Sequence, residues 1–188
     1  MAMLAQTRTG NRRSKPSAWL LEHLELLSPP APGRALDVAC GAGRNALLLD
    51  ELGFQVDAVD VDQSALQELE RKTIARGGRI HAVHADVTTV ELAGAAYQVV
   101  VNFNFLERSI FSRLSDALAP DGLLIFETFT RDHVEILGNR MNPAYLLEPN
   151  ELLHAFRGLR VLHYRETVVN DESSPAVASL VARKPSGG

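Results

Sequence analysis

Apolar residues fall along this chain in short runs separated by glycine, proline and acidic residues, and the runs alternate between two periods. Arg34 to Ala39, Gln55 to Asp60, Arg79 to Ala85, Tyr97 to Asn102 and Leu123 to Thr128 read as strands. Between them, Arg44 to Leu52, Gln63 to Ala75 and Glu107 to Leu118 carry apolar residues at helical spacing, and the first two are closed by Gly53 and Gly77-Gly78. Ahead of the first strand, Pro16 to Leu27 predicts a leading helix, stopped by Pro29-Pro30. Strand and helix in regular succession imply a parallel sheet with right-handed crossovers. The rhythm changes after the loop-rich stretch around Thr130 to Leu147. A short helix from Pro149 to Phe156 precedes Leu159 to Val168 and Ala176 to Lys184, two strands joined by too few residues for a crossover helix. They predict an antiparallel hairpin at the sheet edge. The fold class is therefore α/β, a Rossmann-like, seven-stranded, mostly parallel sheet with helices on both faces and an antiparallel C-terminal hairpin.

With 188 residues, 46% of them hydrophobic, the chain has material for one core. Residues 16–188 are expected to form a single domain behind a basic tail at 1–15, which is either flexible or a lid over a ligand. A formal net charge of -4 gives no global attraction to nucleic acid or to an anionic membrane. No apolar segment approaches the roughly 20 residues that span a bilayer. Cys40 is the only cysteine, so neither an intramolecular disulfide nor a multi-cysteine metal site is available, and a reducing, cytoplasmic setting is expected. The partners expected are a small-molecule acceptor and, at most, a second copy of the chain: monomer or homodimer.

Chemistry concentrates at the carboxyl ends of the predicted strands. The run Ala35-Leu36-Asp37-Val38-Ala39-Cys40-Gly41-Ala42-Gly43-Arg44-Asn45 is a strand, a glycine-containing turn and a helix start. Gly41 and Gly43 admit a ligand close to the backbone, and the helix start offers unpaired N–H groups. Asp60, followed by Val61 and Asp62, ends the second strand where an acid accepts ribose hydroxyls in dinucleotide folds. Taken alone, Gly41-Ala42-Gly43-Arg44-Asn45-Ala46 also fits the permissive dinucleotide pattern. Asp37 inside the first strand argues against that, because a carboxylate buried there is costly unless a cation or a donor meets it, and a ligand amino group would do so. His84-Ala85-Asp86-Val87 ends the third strand with an acceptor for an exocyclic amine and an apolar cover for a ring. A ligand with an amino acid end, a ribose and an adenine satisfies all three places, and S-adenosyl-L-methionine is such a ligand.

The run Leu36 to Asn45 resembles the first motif of class I S-adenosylmethionine-dependent methyltransferases, particularly the small bacterial tellurite-resistance-like group. That resemblance implies a seven-stranded sheet with the last strand antiparallel between the fifth and sixth. It also implies that the backbone of Ala39, Gly41 and Gly43 lines the methionine moiety, that Asp60 holds the ribose with Val61 beside it, and that Asp86 and Val87 frame the adenine. Asn102 would stand where the family's fourth motif meets cofactor and substrate. Ala39 departs from the glycine that many members carry, which narrows the turn by one methyl.

The expected activity is methyl transfer to a small molecule. A minimal nicotinamide-dependent oxidoreductase and a catalytically silent, methyltransferase-like subunit are the competing readings. Catalytic residues are not assigned, because an in-line displacement at a sulfonium needs positioning more than a covalent nucleophile. The acceptor side is expected in the loops Asn102 to Phe105, Glu127 to Thr130 and Gly138 to Leu147. Phe103, Phe105 and Phe129 are candidate walls or core, Glu127 a candidate base or backbone ligand, and His133 a group facing the acceptor. His154 reads as a surface residue, and His81, His84 and His163 lack metal-ligand spacing, so no metal is expected. Ser17 or Trp19 of the leading helix is a candidate for closing the cofactor site.

Overall fold

The computed structural model describes residues 15–27, 33–132, 142–167 and 176–186. His133, the insert from Gly138 to Met141, and the connection between the two last predicted strands lie outside them. Seven strands, β1 (Arg34–Val38), β2 (Gln55–Asp60), β3 (Ile80–His84), β4 (Tyr97–Phe103), β5 (Leu118–Phe129), β6 (Arg160–Glu166) and β7 (Val177–Arg183), form one sheet in the order β3-β2-β1-β4-β5-β7-β6. The first five are parallel, and β7 runs antiparallel to both neighbours, β5 and β6. The helices are α1 (Ala18–Leu21), α2 (Arg44–Glu51), α3 (Gln63–Arg76), α4 (Phe111–Ala117) and α5 (Glu151–Ala155).

Strands covered on both sides read as unbroken apolar runs, and here they feed two cores. Leu36, Val38, Val100, Leu124, Phe126 and Leu180 face one layer with Leu114, Leu152 and Phe156. Ala35, Val56, Val99, Val101, Ile125 and Val181 face the other with Trp19, Leu49, Leu66 and Leu69. Alternate residues of each strand thus supply opposite faces, as the two-residue period requires.

The leading helix is shorter than its pattern. α1 ends at Leu21, and Leu24–Leu27 form a 3-10 turn. The imidazole of His23 donates from Nδ1 to the Trp19 carbonyl at 2.9 Å, occupying the acceptor that the next α-helical N–H would use, and His23 N–H turns instead to Leu20 O. The helix expected from Glu107 to Leu118 is split likewise. Glu107 accepts the Ser109 N–H at 2.9 Å and starts a 3-10 turn, Arg108–Ile110, before α4. The turn at Pro120 to Gly122 is enclosed in β5, which already pairs through Leu118 with Tyr97.

Candidate functional site

The order of strands reverses between β1 and β4, and in open α/β sheets ligands settle outside the carboxyl ends at that point. The turn after β1 carries three left-handed residues in alternation, Ala39 at φ 51°, Gly41 at 53° and Gly43 at 75°. Ala39 therefore holds a conformation that costs an L-residue roughly 1–2 kcal/mol. This gives the alanine, where the resembled motif often has glycine, a concrete cost.

The two glycines serve different ends. A Cβ on Gly43 would stand 2.2 Å from Leu69 Cδ1, so its missing side chain is what lets α3 pack against the start of α2. A Cβ on Gly41 would meet nothing within 4 Å. Space at position 41 is open to a ligand, while position 43 is filled by the protein.

Asp37 is buried, with 2% of its surface exposed, and its Oδ2 accepts the Ala46 N–H at 2.9 Å. It thereby satisfies one of the orphan donors in the first turn of α2, whose N-cap, Gly43, has no side chain to do so. Loss of water pushes the Asp37 carboxyl up to about 7, against the opposing pull of the Ala46 N–H and of Arg44. Burial lowers the Arg44 guanidinium, which lies within reach of the Asp37 and Glu127 charges. The native state holds the Asp37 proton more tightly than the unfolded chain, where the value is 3.8. This contribution to stability is complete below the unfolded value and is lost as pH rises through about 7. Asp37→Asn is expected to flatten the fall in melting temperature between about pH 4 and about pH 7, relative to the unmutated protein. Parallel curves for the two proteins would exclude Asp37 as the titrating group.

Asp60 ends β2 half-buried, its Oδ2 accepting the Gly41 N–H at 2.7 Å and its Oδ1 the Asp62 N–H at 2.8 Å. Each oxygen keeps a second lone pair, and the two main-chain donors fix the carboxylate against the glycine turn. Val61 beside it is 64% exposed. Asp86 is exposed, and the Thr88 N–H and hydroxyl, both on Oδ1, hold its carboxyl below the usual range. Its Oδ2 accepts nothing from the described residues, and the Val87 N–H likewise donates to none. Val87 sends its side chain into the core. A free acceptor and a free donor on consecutive residues match the amino-bearing edge of adenine, which offers N6–H and N1 in the same order.

Asn102 is fully buried in β4, paired with Val38 on one side and Phe126 on the other. Its Nδ2 donates to the Phe105 carbonyl at 2.8 Å and shapes the loop after β4, while its Oδ1 has no partner among the described residues. The sequence puts this residue at the strand tip; its observed work is to fold that tip over.

The acceptor candidates separate. Phe103 belongs to one core, Phe105 packs partly against the other, and Phe129 is half-buried. Glu127 accepts the Ser179 hydroxyl at 2.7 Å and pairs with Arg165 at 3.5 Å, which accounts for its carboxylate structurally. Trp19 is buried and donates its indole N–H to Leu180 O at 3.4 Å, which ties α1 to β7 in the core. Ser17 N–H donates to Asn45 Oδ1 at 2.9 Å and ties the leading segment to the start of α2. Cys40 is buried, and burial pushes its thiol up, as suits a small apolar residue. His154 is on the surface. Among the described residues no cluster of His, Cys, Asp and Glu is placed to hold a metal, and no helix is long and apolar enough to cross a membrane. A depression of about 390 Å³ lies at the opposite end of the sheet, lined by Arg34, Gln55, Val56, Asp57, Arg79 and His81. Asp57 there is saturated by Arg34, Tyr97 and His81.

Residues 35–122 match the family described as a methyltransferase domain. An uncharacterized methyltransferase of Mycobacterium tuberculosis is 33% identical over 111 residues, 56% of this chain and 55% of that protein. The demethylmenaquinone methyltransferase of Thermus thermophilus is 31% identical over 119 residues, 59% of this chain and 54% of the relative. The chain spans about half the length of these curated relatives. Among solved structures, TehB from Haemophilus influenzae superposes with a TM-score of 0.74 at 19% identity, over 90% of this chain and 62% of TehB. The cyclase SpnF superposes at 0.71 with 18% identity, over 90% of this chain and 82% of its own.

The match makes residues 35–122 similar to a methyltransferase domain, and the superpositions show a shared fold. The sheet order, with β7 between β5 and β6, is the one the sequence resemblance implies.

Proposed function

We propose that this protein transfers a methyl group from S-adenosylmethionine to a small-molecule acceptor, using residues 16–188 as one domain. The observation that carries the reading is the unused pair at the end of β3, Asp86 Oδ2 and Val87 N–H, beside an Asp60 whose two oxygens are fixed yet keep accepting capacity. When bound, the cofactor supplies an electrophilic methyl on a sulfonium that leaves as a neutral thioether. The chain's own part is binding and alignment. Asp60 accepts the two ribose hydroxyls, Asp86 and Val87 read the purine, and the exposed Val61 covers its face. Gly41 leaves room for the methionine end, and Asp37 steadies the start of α2 above it.

Orientation of this kind accounts for roughly 7–11 kcal/mol of a barrier in well-aligned systems, without a covalent nucleophile. The half-buried Phe129 and the loop held by Asn102 border the acceptor side. The fold alone does not decide the reaction, since SpnF, a cyclase, shares it. Calorimetric titration is the test. Micromolar binding of S-adenosylhomocysteine, with NAD binding far more weakly, is expected; binding of NAD alone would return the nicotinamide reading. Tight binding of the homocysteine product, with no turnover of S-adenosylmethionine on a panel of thiol, amine and chalcogen oxyanion acceptors, would favour a silent subunit.

A further inference from the structure

The segment after β3, Asp86 to Val90, has no strand partner for its carbonyls, and backbone oxygens left without a ladder need other donors. One side chain supplies them. Arg113, in the first turn of α4, donates through Nη1 to the carbonyls of Val87 at 2.9 Å and Thr88 at 2.8 Å, and through Nη2 to that of Val90. From the other side, Asp86 O accepts the N–H groups of Thr89 and Val90, at 3.0 and 2.9 Å, while Asp86 Oδ1 takes both donors of Thr88. A guanidinium is a rigid planar fork, so three carbonyls gathered by it are held in fixed relation to each other. Asp86 Oδ2 and Val87 N–H, on consecutive residues of this turn, have no partner among the described residues.

We infer that Arg113 is the positioning residue for purine recognition: by gathering three carbonyls of the loop, it sets the spacing at which Asp86 and Val87 read an adenine edge. The inference rests on the reading that an adenosyl ligand binds here. Arg113 touches no ligand itself and acts through the loop. The bonds that Arg113 makes through Nη1 and Nη2 go to main-chain oxygens of the distant loop and to none within α4.

The test compares S-adenosylhomocysteine with S-inosylhomocysteine, in which hypoxanthine replaces adenine. Hypoxanthine turns the donor opposite Asp86 into a carbonyl and the acceptor opposite Val87 into an N–H, so both contacts are reversed. The unmutated protein is expected to prefer the adenine ligand by about tenfold or more, in line with the cost of opposed polar groups. In Arg113→Ala that preference is expected to shrink to about threefold or less, and affinity for the adenine ligand to fall about tenfold. Arg113→Lys keeps the charge and loses the fork; it is expected to fold and still to lose most of the preference, and it carries the test if the alanine variant melts too low to titrate. A folded variant with an unchanged preference ratio overturns the inference, because a merely structural role lowers stability without altering base discrimination. Unmutated protein that binds both ligands alike overturns it too, leaving the cofactor site standing. Unmutated protein that binds neither removes the cofactor reading, and this inference with it.

Discussion

Replacing Asp60 with alanine is expected to weaken binding of S-adenosylhomocysteine by on the order of a hundredfold while the circular dichroism spectrum stays native. Hydrogen bonds to a charged group contribute roughly 1.5–3 kcal/mol each, and two ribose hydroxyls are at stake. The same substitution also frees Gly41 and Asp62, whose N–H groups Asp60 now holds at 2.7 and 2.8 Å, so the turn that shapes the pocket loosens as the ligand contact goes. Asp60→Asn keeps one carbonyl oxygen and should lose less. Calorimetry on both variants checks this, and an alanine variant within about twofold of the unmutated protein would remove the residue from the site.

The second large effect separates two neighbouring glycines. Gly43→Ala is expected to destabilise by about 2–4 kcal/mol, from the left-handed backbone and the displacement of Leu69, which its Cβ would approach to 2.2 Å. For a chain of this size that is a drop of roughly 5–15 °C in melting temperature. Gly41→Ala carries only the backbone share, about 1 kcal/mol, since no protein atom lies within 4 Å of the new methyl. Its loss should appear in cofactor affinity instead, because the methyl enters the space left for the ligand. Thermal melts and titrations of the two variants give opposite rankings if this is right. A Gly43→Ala protein with an unshifted melt would refute the packing role.

The contrast also shows where sequence is informative. Glycines at 41 and 43 look alike in a G-x-G turn, and the pattern assigns both to the ligand. Only the approach of Leu69, from the following helix, distinguishes them, and a local pattern carries no trace of it. The strands are legible because Val99, Val100 and Val101, or Leu123, Leu124 and Ile125, are buried on both faces and so form continuous apolar runs. The leading helix is overextended by its pattern because Leu24, Leu26 and Leu27 keep an apolar period while the His23 side chain takes the carbonyl that the helix needs. Asp37 reads as a buried carboxylate requiring a donor, and the donor it has is the Ala46 N–H. Arg113 gives no signal at all: an arginine in an amphipathic helix looks like a solvated charge until three carbonyls from another part of the chain surround it.

The placement of β7 has a consequence for how the molecule assembles. β5 pairs with β7 along Leu123 to Phe129, although β6 lies between the two in the chain. Until that later segment arrives, β5 presents a long apolar border with open main-chain groups, a template for sticking to other molecules. Closing it requires contacts between distant stretches, such as Glu127 with Ser179 and Leu123 with Arg183, which belong to the slow class of folding events. Lesions in β7 should therefore show themselves first as precipitation during synthesis, before any change in what the finished protein binds.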